Sequence, residues 1–234
     1  MLRPIRRAVA ARTALFLGLA AALVGLLLVP MMTSSQAATA TATYRTRLEF
    51  STSDPSLDSV TGTHVQIIGK VRELPIGVLD FYGPSVVEVP DRQPLNPGQL
   101  TFYFAARVRL TRGAGNWNIM QKGYFGDRGQ YKVSLVSDAR GLSISCRIKG
   151  DAGALLAVSR PGVIALNGPF TYVGCKRIGA TVLVLVNGSV VGRATGPTGY
   201  IGVQQPVLVG SKGTWLASAD QFLGQIDRAF VITY

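Results

Sequence analysis

The sequence predicts an all-β protein, an antiparallel two-sheet β-sandwich, and three observations carry that expectation. Short segments alternate apolar and polar residues with period two, most cleanly in Thr101–Leu110. There Phe102, Phe104, Ala106, Val108 and Leu110 share one face, and Tyr103, Ala105, Arg107 and Arg109 share the other. Gly, Pro, Asn and Asp interrupt these segments at the roughly 8–12-residue spacing of sandwich turns. Beyond the N-terminal apolar run no amphipathic helix stands out, and no fixed-period repeat points to a propeller or solenoid.

The chain opens on Arg3, Arg6, Arg7 and Arg12, then an almost unbroken apolar run from Ala14 to Val29, then Ser35-Gln36-Ala37. A basic start, an apolar centre and a small-residue cleavage site make a secretory signal peptide, expected over residues 1–37. The run is short for a membrane span of about 20 residues. Membrane contact is therefore expected only through the leader where it is uncleaved. An Ala/Thr-rich opening suggests a flexible spacer over 38–47, and the β domain is expected over 48–234.

Within that domain, strand signals run through His64–Ile68, Val78–Tyr82 and Val86–Val89. Pro90, Pro94 and Pro97 exclude a helix from the following connection. After Thr101–Leu110, strands are expected at Asn118–Lys122, Tyr131–Val136, Leu142–Lys149, Leu155–Ser159 and Phe170–Lys176. Thr181–Val186 is apolar throughout and reads as a central strand covered on both sides. Asn187-Gly188 then predicts a type I′ hairpin into Ser189–Gly192, because that turn needs positive φ at both central residues. Val207–Gly210 and Ile226–Ile232 complete the set.

Two cysteines behind an export signal read as one disulfide, Cys146–Cys175. Cys146 shares a strand face with Leu142, Ile144 and Ile148, so it points to the core, and the pair is expected to join two neighbouring strands. Such a bond places the chain outside the reducing cytosol: secreted, extracellular or wall-associated.

The net charge of +12 comes from 24 Lys and Arg against 12 acids, and four of the arginines lie in the leader. Arg107, Arg109, Lys132, Arg147 and Lys149 alternate with apolar neighbours, as on solvated strand faces. The functional counterpart is attraction to anionic polymers, such as acidic glycans or wall polymers. Nucleic acid is not expected, since the chain has no basic tail, no helix-borne stripe and no nucleic-acid motif.

Standard catalytic constellations are missing. The glutamates are Glu49, Glu73 and Glu88 alone, and no closely spaced carboxylate pair suits glycoside hydrolysis. His64 is the only histidine, and there is no Gly-x-Ser-x-Gly elbow to accompany it. A zinc site cannot be assembled from one histidine and two paired cysteines. The expectation is therefore a non-enzyme with no catalytic residues.

From about Leu79 to Ile232 the chain resembles a laminin-G-like, concanavalin A-like jelly-roll domain of secreted bacterial proteins. The resemblance rests on ordered segments: Leu79-Asp80-Phe81-Tyr82-Gly83, Val86-Val87-Glu88-Val89-Pro90, Asn118-Ile119-Met120-Gln121-Lys122-Gly123, and Tyr131-Lys132-Val133. Leu183-Val184-Leu185-Val186-Asn187-Gly188, Pro206-Val207-Leu208-Val209-Gly210 and Asp220-Gln221-Phe222-Leu223-Gly224-Gln225-Ile226-Asp227 continue it. Cys146 and Cys175 fall at the two cysteine positions common in such domains. Phe170-Thr171 stands where the family often has Trp-His, and Arg228 replaces a frequent acid.

This resemblance implies a jelly-roll fold and a non-catalytic domain that binds glycans or extracellular proteins. The alternatives are a glucanase-like hydrolase of the same fold and a structural envelope protein without a small ligand. Many such domains bind calcium through a loop aspartate. In this acid-poor chain Asp127 and Asp220 are the weak candidates, against the plainer reading of turn or strand-end hydrogen bonds. Trp117, Tyr124, Phe125, Tyr200 and Trp215 lie in or beside Gly-rich turns, where exposed rings could meet a sugar. Of these, Trp117, Tyr124 and Trp215 are the expected ligand residues, with capping of the sandwich core as the competing role for the two tryptophans.

Overall fold

In a computed structural model, the backbone of Thr43–Glu49 is described, together with residues 56–75, 77–111, 115–213 and 220–234 in full. The strands are β1 (Thr43–Glu49), β2 (Gln66–Leu74), β3 (Val78–Val89), β4 (Phe102–Leu110) and β5 (Trp117–Lys122). They continue as β6 (Gln130–Asp138), β7 (Gly141–Gly150), β8 (Gly153–Val158), β9 (Thr171–Ile178) and β10 (Thr181–Val186). β11 (Ser189–Thr195), β12 (Val207–Val209) and β13 (Gly224–Thr233) complete the set. The proline-rich connection holds a single 3₁₀ turn, Gln93–Leu95. No helix among the described residues is long and apolar enough to cross a membrane.

Strand pairing is antiparallel and runs β11-β10-β9-β4-β13-β3-β12-β5-β6-β7-β8. β3 is the hinge of this path. Its first half bonds to β13 (Leu79↔Ile226 to Phe81↔Gly224), and its second half bonds to β12 (Val87↔Val209 to Val89↔Val207). One long strand thus serves two layers: β11-β10-β9-β4-β13 on one side and β12-β5-β6-β7-β8 on the other. β2 flanks β3 along its length, with a register shift between Gly69 and Val71. The free edges of the two layers also approach each other, since a Cβ on Gly192 of β11 would sit 2.4 Å from the Val158 carbonyl oxygen of β8. The result is a nearly closed sandwich: the all-β sandwich the alternation predicts, in the jelly-roll form the resemblance implies.

Where β3 changes layers its backbone needs other partners. Gln221 supplies one of them and ties it to the neighbouring segments. The Ser85 amide donates to Gln221 Oε1 at 2.8 Å, and Gln221 Nε2 donates to the carbonyls of Gly210 (2.9 Å) and Phe222 (2.8 Å). Buried backbone groups must be paired, so one amide side chain seals the seam.

Period-two alternation puts Phe102 and Phe104 of β4 and Tyr131 and Val133 of β6 inside. Phe104 and Tyr131 meet across the layers with ring centres 4.8 Å apart. Cys146 and Cys175 are disulfide-bonded, with Cα atoms 5.7 Å apart. The expectation that they join neighbouring strands is corrected. β7 pairs with β6 and β8, whereas β9 pairs with β4 and β10, so the bond crosses the core from layer to layer. Both cysteines point inward for the same reason that Ile144 and Val173 do.

Two cations are also inside. On β9, Val173, Cys175 and Arg177 share the inner face, and Arg177 Nη2 donates to the carbonyls of Gly98 (2.6 Å) and Leu100 (2.7 Å). Its Nη1 reaches the Gly199 carbonyl at 3.0 Å. Lys122 on β5 bonds to Asp91 and to the Gln205 carbonyl. Burial pulls the Lys122 ammonium below its usual lysine value, with Asp91 opposing that shift.

Asn187 and Gly188 both have positive φ, 48° and 82°, as a type I′ turn demands. Asn187 Oδ1 also accepts the Tyr172 amide at 2.9 Å, which fixes the hairpin to the next strand. Thr181–Val186 is covered on both sides only in its first half, because β10 lies one strand from the layer edge and Leu185 and Val186 are half-exposed. Residues 43–47 of the expected spacer are strand: β1 pairs with β13 from Thr43↔Thr233 to Glu49↔Arg228. The expected leader and residues 38–42 lie outside the described residues.

Two stability outcomes follow from these contacts. The double variant C146A/C175A opens a 29-residue separation and is expected to lose about 3–4 kcal/mol in urea unfolding at equal m-value. An unchanged midpoint would contradict the cross-layer role. Gln221→Leu keeps the volume but strands the Ser85 amide, and its urea midpoint should show a loss of about 1–3 kcal/mol.

Candidate functional site

The outer face of β6–β8 concentrates polar chemistry. On β7, Ile144, Cys146 and Ile148 fill the core while Ser143, Ser145, Arg147 and Lys149 alternate to the outside. On β6, Tyr131, Val133 and Leu135 point in, and Lys132 and Ser134 point out. The register sets Lys132 opposite Arg147, Ser134 opposite Ser145 and Gln130 opposite Lys149. On β8, Leu156 and Val158 lie beside Arg147 and Ser145. The Ser134 and Ser145 hydroxyl oxygens are 3.2 Å apart.

Lys132 and Arg147 are like charges directly opposed on adjacent strands, an arrangement that opposes pairing. A third cation, Lys212, arrives from the segment after β12. Asp220 answers Lys132 (3.4 Å) and Lys212 (3.3 Å) with one carboxylate oxygen. Burial lowers the Lys132 ammonium from its usual value; Asp220 pushes it back up, while Lys212 and Arg147 add to the lowering.

An aromatic ring borders this face. The β5–β6 loop carries Phe125, which is 73% exposed. The Arg147 guanidinium carbon lies 4.6 Å from its ring centre and the Lys149 ammonium 5.9 Å. Lys149 also donates to the Phe125 carbonyl at 2.9 Å, fixing the loop to the sheet. Arg147 Nε is buried without a hydrogen-bond partner. The loop is internally braced: Asp127 Oδ2 accepts the Tyr124 amide (2.7 Å), and the Asp127 amide donates to the Tyr124 carbonyl (3.1 Å).

Two depressions flank these groups. One, of about 440 Å³, is lined by Gly126, Asp127, Arg128, Lys149, Gly150 and Asp151. The other, of about 510 Å³, includes Ser143, Ser145, Leu156, Val158, Arg140 and Arg160. Arg140 is paired with Asp138 at 2.8 Å.

The expected ligand residues are distributed unevenly. Trp117 is corrected: it is 2% exposed and opposes Leu135 on the inner face of β5, so its ring is core and offers no surface to a sugar. Tyr124 is half-buried at the base of the Phe125 loop. Trp215 falls in 214–219, outside the described residues. Phe125 and Tyr200, 73% and 50% exposed, are the open rings among the described aromatics of the Gly-rich turns. The opposed Lys132 and Arg147 were visible in sequence only as members of two alternating strands. Their juxtaposition depends on register, which no single-chain pattern states.

Among the described residues, the two candidate aspartates do not suit calcium. Asp220 already meets two ammonium groups, and Asp127 is held by its own loop amide beside Arg128 and Lys149. Among the described residues no group of three His, Cys, Asp or Glu converges. Asp127 and Asp151 do line one depression, each with an oxygen on a loop amide, Tyr124 for the former and Tyr200 for the latter (2.6 Å).

No protein-family model matches the sequence, and no curated protein matches it. Solved structures do resemble its fold. Domain 4 of AbnA, a GH43 extracellular arabinanase from Geobacillus stearothermophilus in complex with arabinotriose, superposes with a TM-score of 0.61 at 16% identity. That match covers 82% of this chain and 93% of the arabinanase domain. The CBM40 of the Ruminococcus gnavus IT-sialidase, bound to α2,3-sialyllactose, matches with a TM-score of 0.51 at 12% identity, covering 69% and 90%. Mouse laminin α1 chain domains LG4-5 match at 0.50 and 15% identity, covering 66% of this chain and 41% of that one. At these identities the likeness is one of fold: the chain has the jelly-roll type of β-sandwich seen in these structures.

Proposed function

We propose that this chain is an extracellular, non-catalytic carbohydrate-binding domain that holds a glycan on the outer face of β6–β8. The observation that carries this reading is Phe125, an open ring held by Arg147 and Lys149 at the margin of a polar sheet face. Sugars are recognised by stacking their C–H faces on such rings while fixed polar groups meet their hydroxyls. Ser145, Arg128 and Lys149, which line the two depressions, supply those groups here. Neighbouring folds crystallised with arabinotriose and sialyllactose support the same use of the scaffold. The Cys146–Cys175 disulfide and the leader-like N-terminus support an oxidising, extracellular setting.

The carboxylates support a non-catalytic role. Asp58, Asp80, Asp91, Asp138, Asp220 and Asp227 are each engaged by Arg or Lys. One observation favours a hydrolase as the second reading: Asp127 and Asp151 share a depression. An assay for new reducing ends, with the D127N/D151N variant as control, separates the two readings. Binding without turnover is expected.

A glycan array should first identify a saturable sugar. Phe125→Ala is then expected to weaken binding to that sugar roughly tenfold in titration calorimetry, with an unchanged melting temperature. Wild-type affinity in this variant would remove Phe125 from the site.

A further inference from the structure

We infer that the glycan is acidic, and that its carboxylate or sulfate groups lie along Lys132, Arg147 and Lys149. This deepens the carbohydrate-binding reading and rests on it.

The first argument is electrostatic. Antiparallel pairing places Lys132 against Arg147, and Lys212 joins them from outside the sheet. One carboxylate, Asp220, faces the two lysines of this cluster, and both contacts are long at 3.4 and 3.3 Å. The folded chain therefore holds an excess of positive charge on a partly desolvated surface, where charge interactions are stronger than in water. A second anion placed between Lys132 and Arg147 relieves that repulsion.

The second argument is an unmet hydrogen bond. Arg147 Nε is buried and has no acceptor, while its guanidinium is pinned against Phe125. An oxyanion is the group that a guanidinium fork binds best.

The third is shape. Ser143, Ser145, Arg147 and Lys149 occupy successive outward positions of β7 and span about 20 Å of strand. The 510 Å³ depression, with Arg160 and the Asp138-paired Arg140, lies at the Ser143 end, and the 440 Å³ depression, with Arg128 and Lys149 beside Asp127 and Asp151, lies at the Lys149 end. Arg160 beyond one end and the Lys132, Arg147 and Lys149 cluster in the middle suit a polymer with spaced charges. Serine hydroxyls between them and the flat ring of Phe125 favour an acidic polysaccharide over an acidic polypeptide.

The test compares polygalacturonate, dextran sulfate, neutral dextran and poly-glutamate in titration calorimetry at about 50 and 300 mM salt. An acidic polysaccharide should bind, and its affinity should fall at least tenfold over that salt range, since exposed charge contacts are screened. The preference between polygalacturonate and dextran sulfate assigns carboxylate or sulfate. K132Q/R147Q should lose at least tenfold affinity for the acidic polymer and lose most of the salt dependence, without a lower melting temperature. Should that pair fail to fold, Lys149→Gln, on a half-exposed side chain, carries the same expectation to a smaller degree. Arg147→Lys should retain part of the binding.

Neutral glycans bound as tightly as acidic ones, with no effect of salt or of these variants, would overturn the inference and leave the carbohydrate-binding reading intact. Absence of any glycan ligand, charged or neutral, would overturn both. Poly-glutamate bound as tightly as the acidic glycans would overturn it in favour of an acidic polypeptide partner.

Discussion

The fold depends on one strand belonging to two layers. β3 bonds to β13 through Leu79–Phe81 and to β12 through Val87–Val89. A strand cannot leave one hydrogen-bonded ladder for another without a gap in which backbone groups lack ladder partners. In a buried position that gap costs as much as a lost hydrogen bond for each group. Gln221 fills it from a distant part of the chain. With the seam sealed, the inward residues of both layers meet as one core, and the rings of Phe102, Phe104 and Tyr131 interlock. The disulfide then ties the layers together at Cys146 and Cys175.

The same closure sorts the charges. Arg177 and Lys122 are drawn inside, where backbone carbonyls and Asp91 satisfy them and hold the connecting loops at Gly98–Leu100, Gly199 and Gln205. Their positive charge belongs to the scaffold. Lys132, Arg147, Lys149 and Lys212 remain on an outer face, where internal acids answer them only in part. A positive total charge is thus divided into a structural share and a surface share, and the surface share lies on the face proposed to hold the ligand.

Much of this was legible because local chemistry and global fold agree. The alternation of β4 and β7 stated which residues face the core, and Asn187-Gly188 stated the hairpin. The ordered motifs stated the architecture. β1 escaped because its segment, TYRTRLE, is polar and gains its strand conformation from pairing with β13. The core position of Trp117 was hidden by the Gly-rich turn before it. A residue beside a turn reads as surface until the pleat fixes which way it faces. Phe125 was one of several rings near glycines, and only the fold of its loop onto Arg147 and Lys149 singled it out.

By itself the sequence determined the all-β class, the identity of most strands, the paired cysteines and the scarcity of acids that argues against hydrolysis. These are local properties, set by period, turn chemistry and composition. The tertiary structure decided the rest. It showed that the disulfide spans the core rather than joining neighbours, that β3 serves both layers, that Lys132 faces Arg147, and that an open aromatic ring lies over Arg147. Each of these depends on register and on contacts between residues far apart in the chain. A one-residue slip would send every side chain of a strand to the opposite face, so no local pattern could have fixed them.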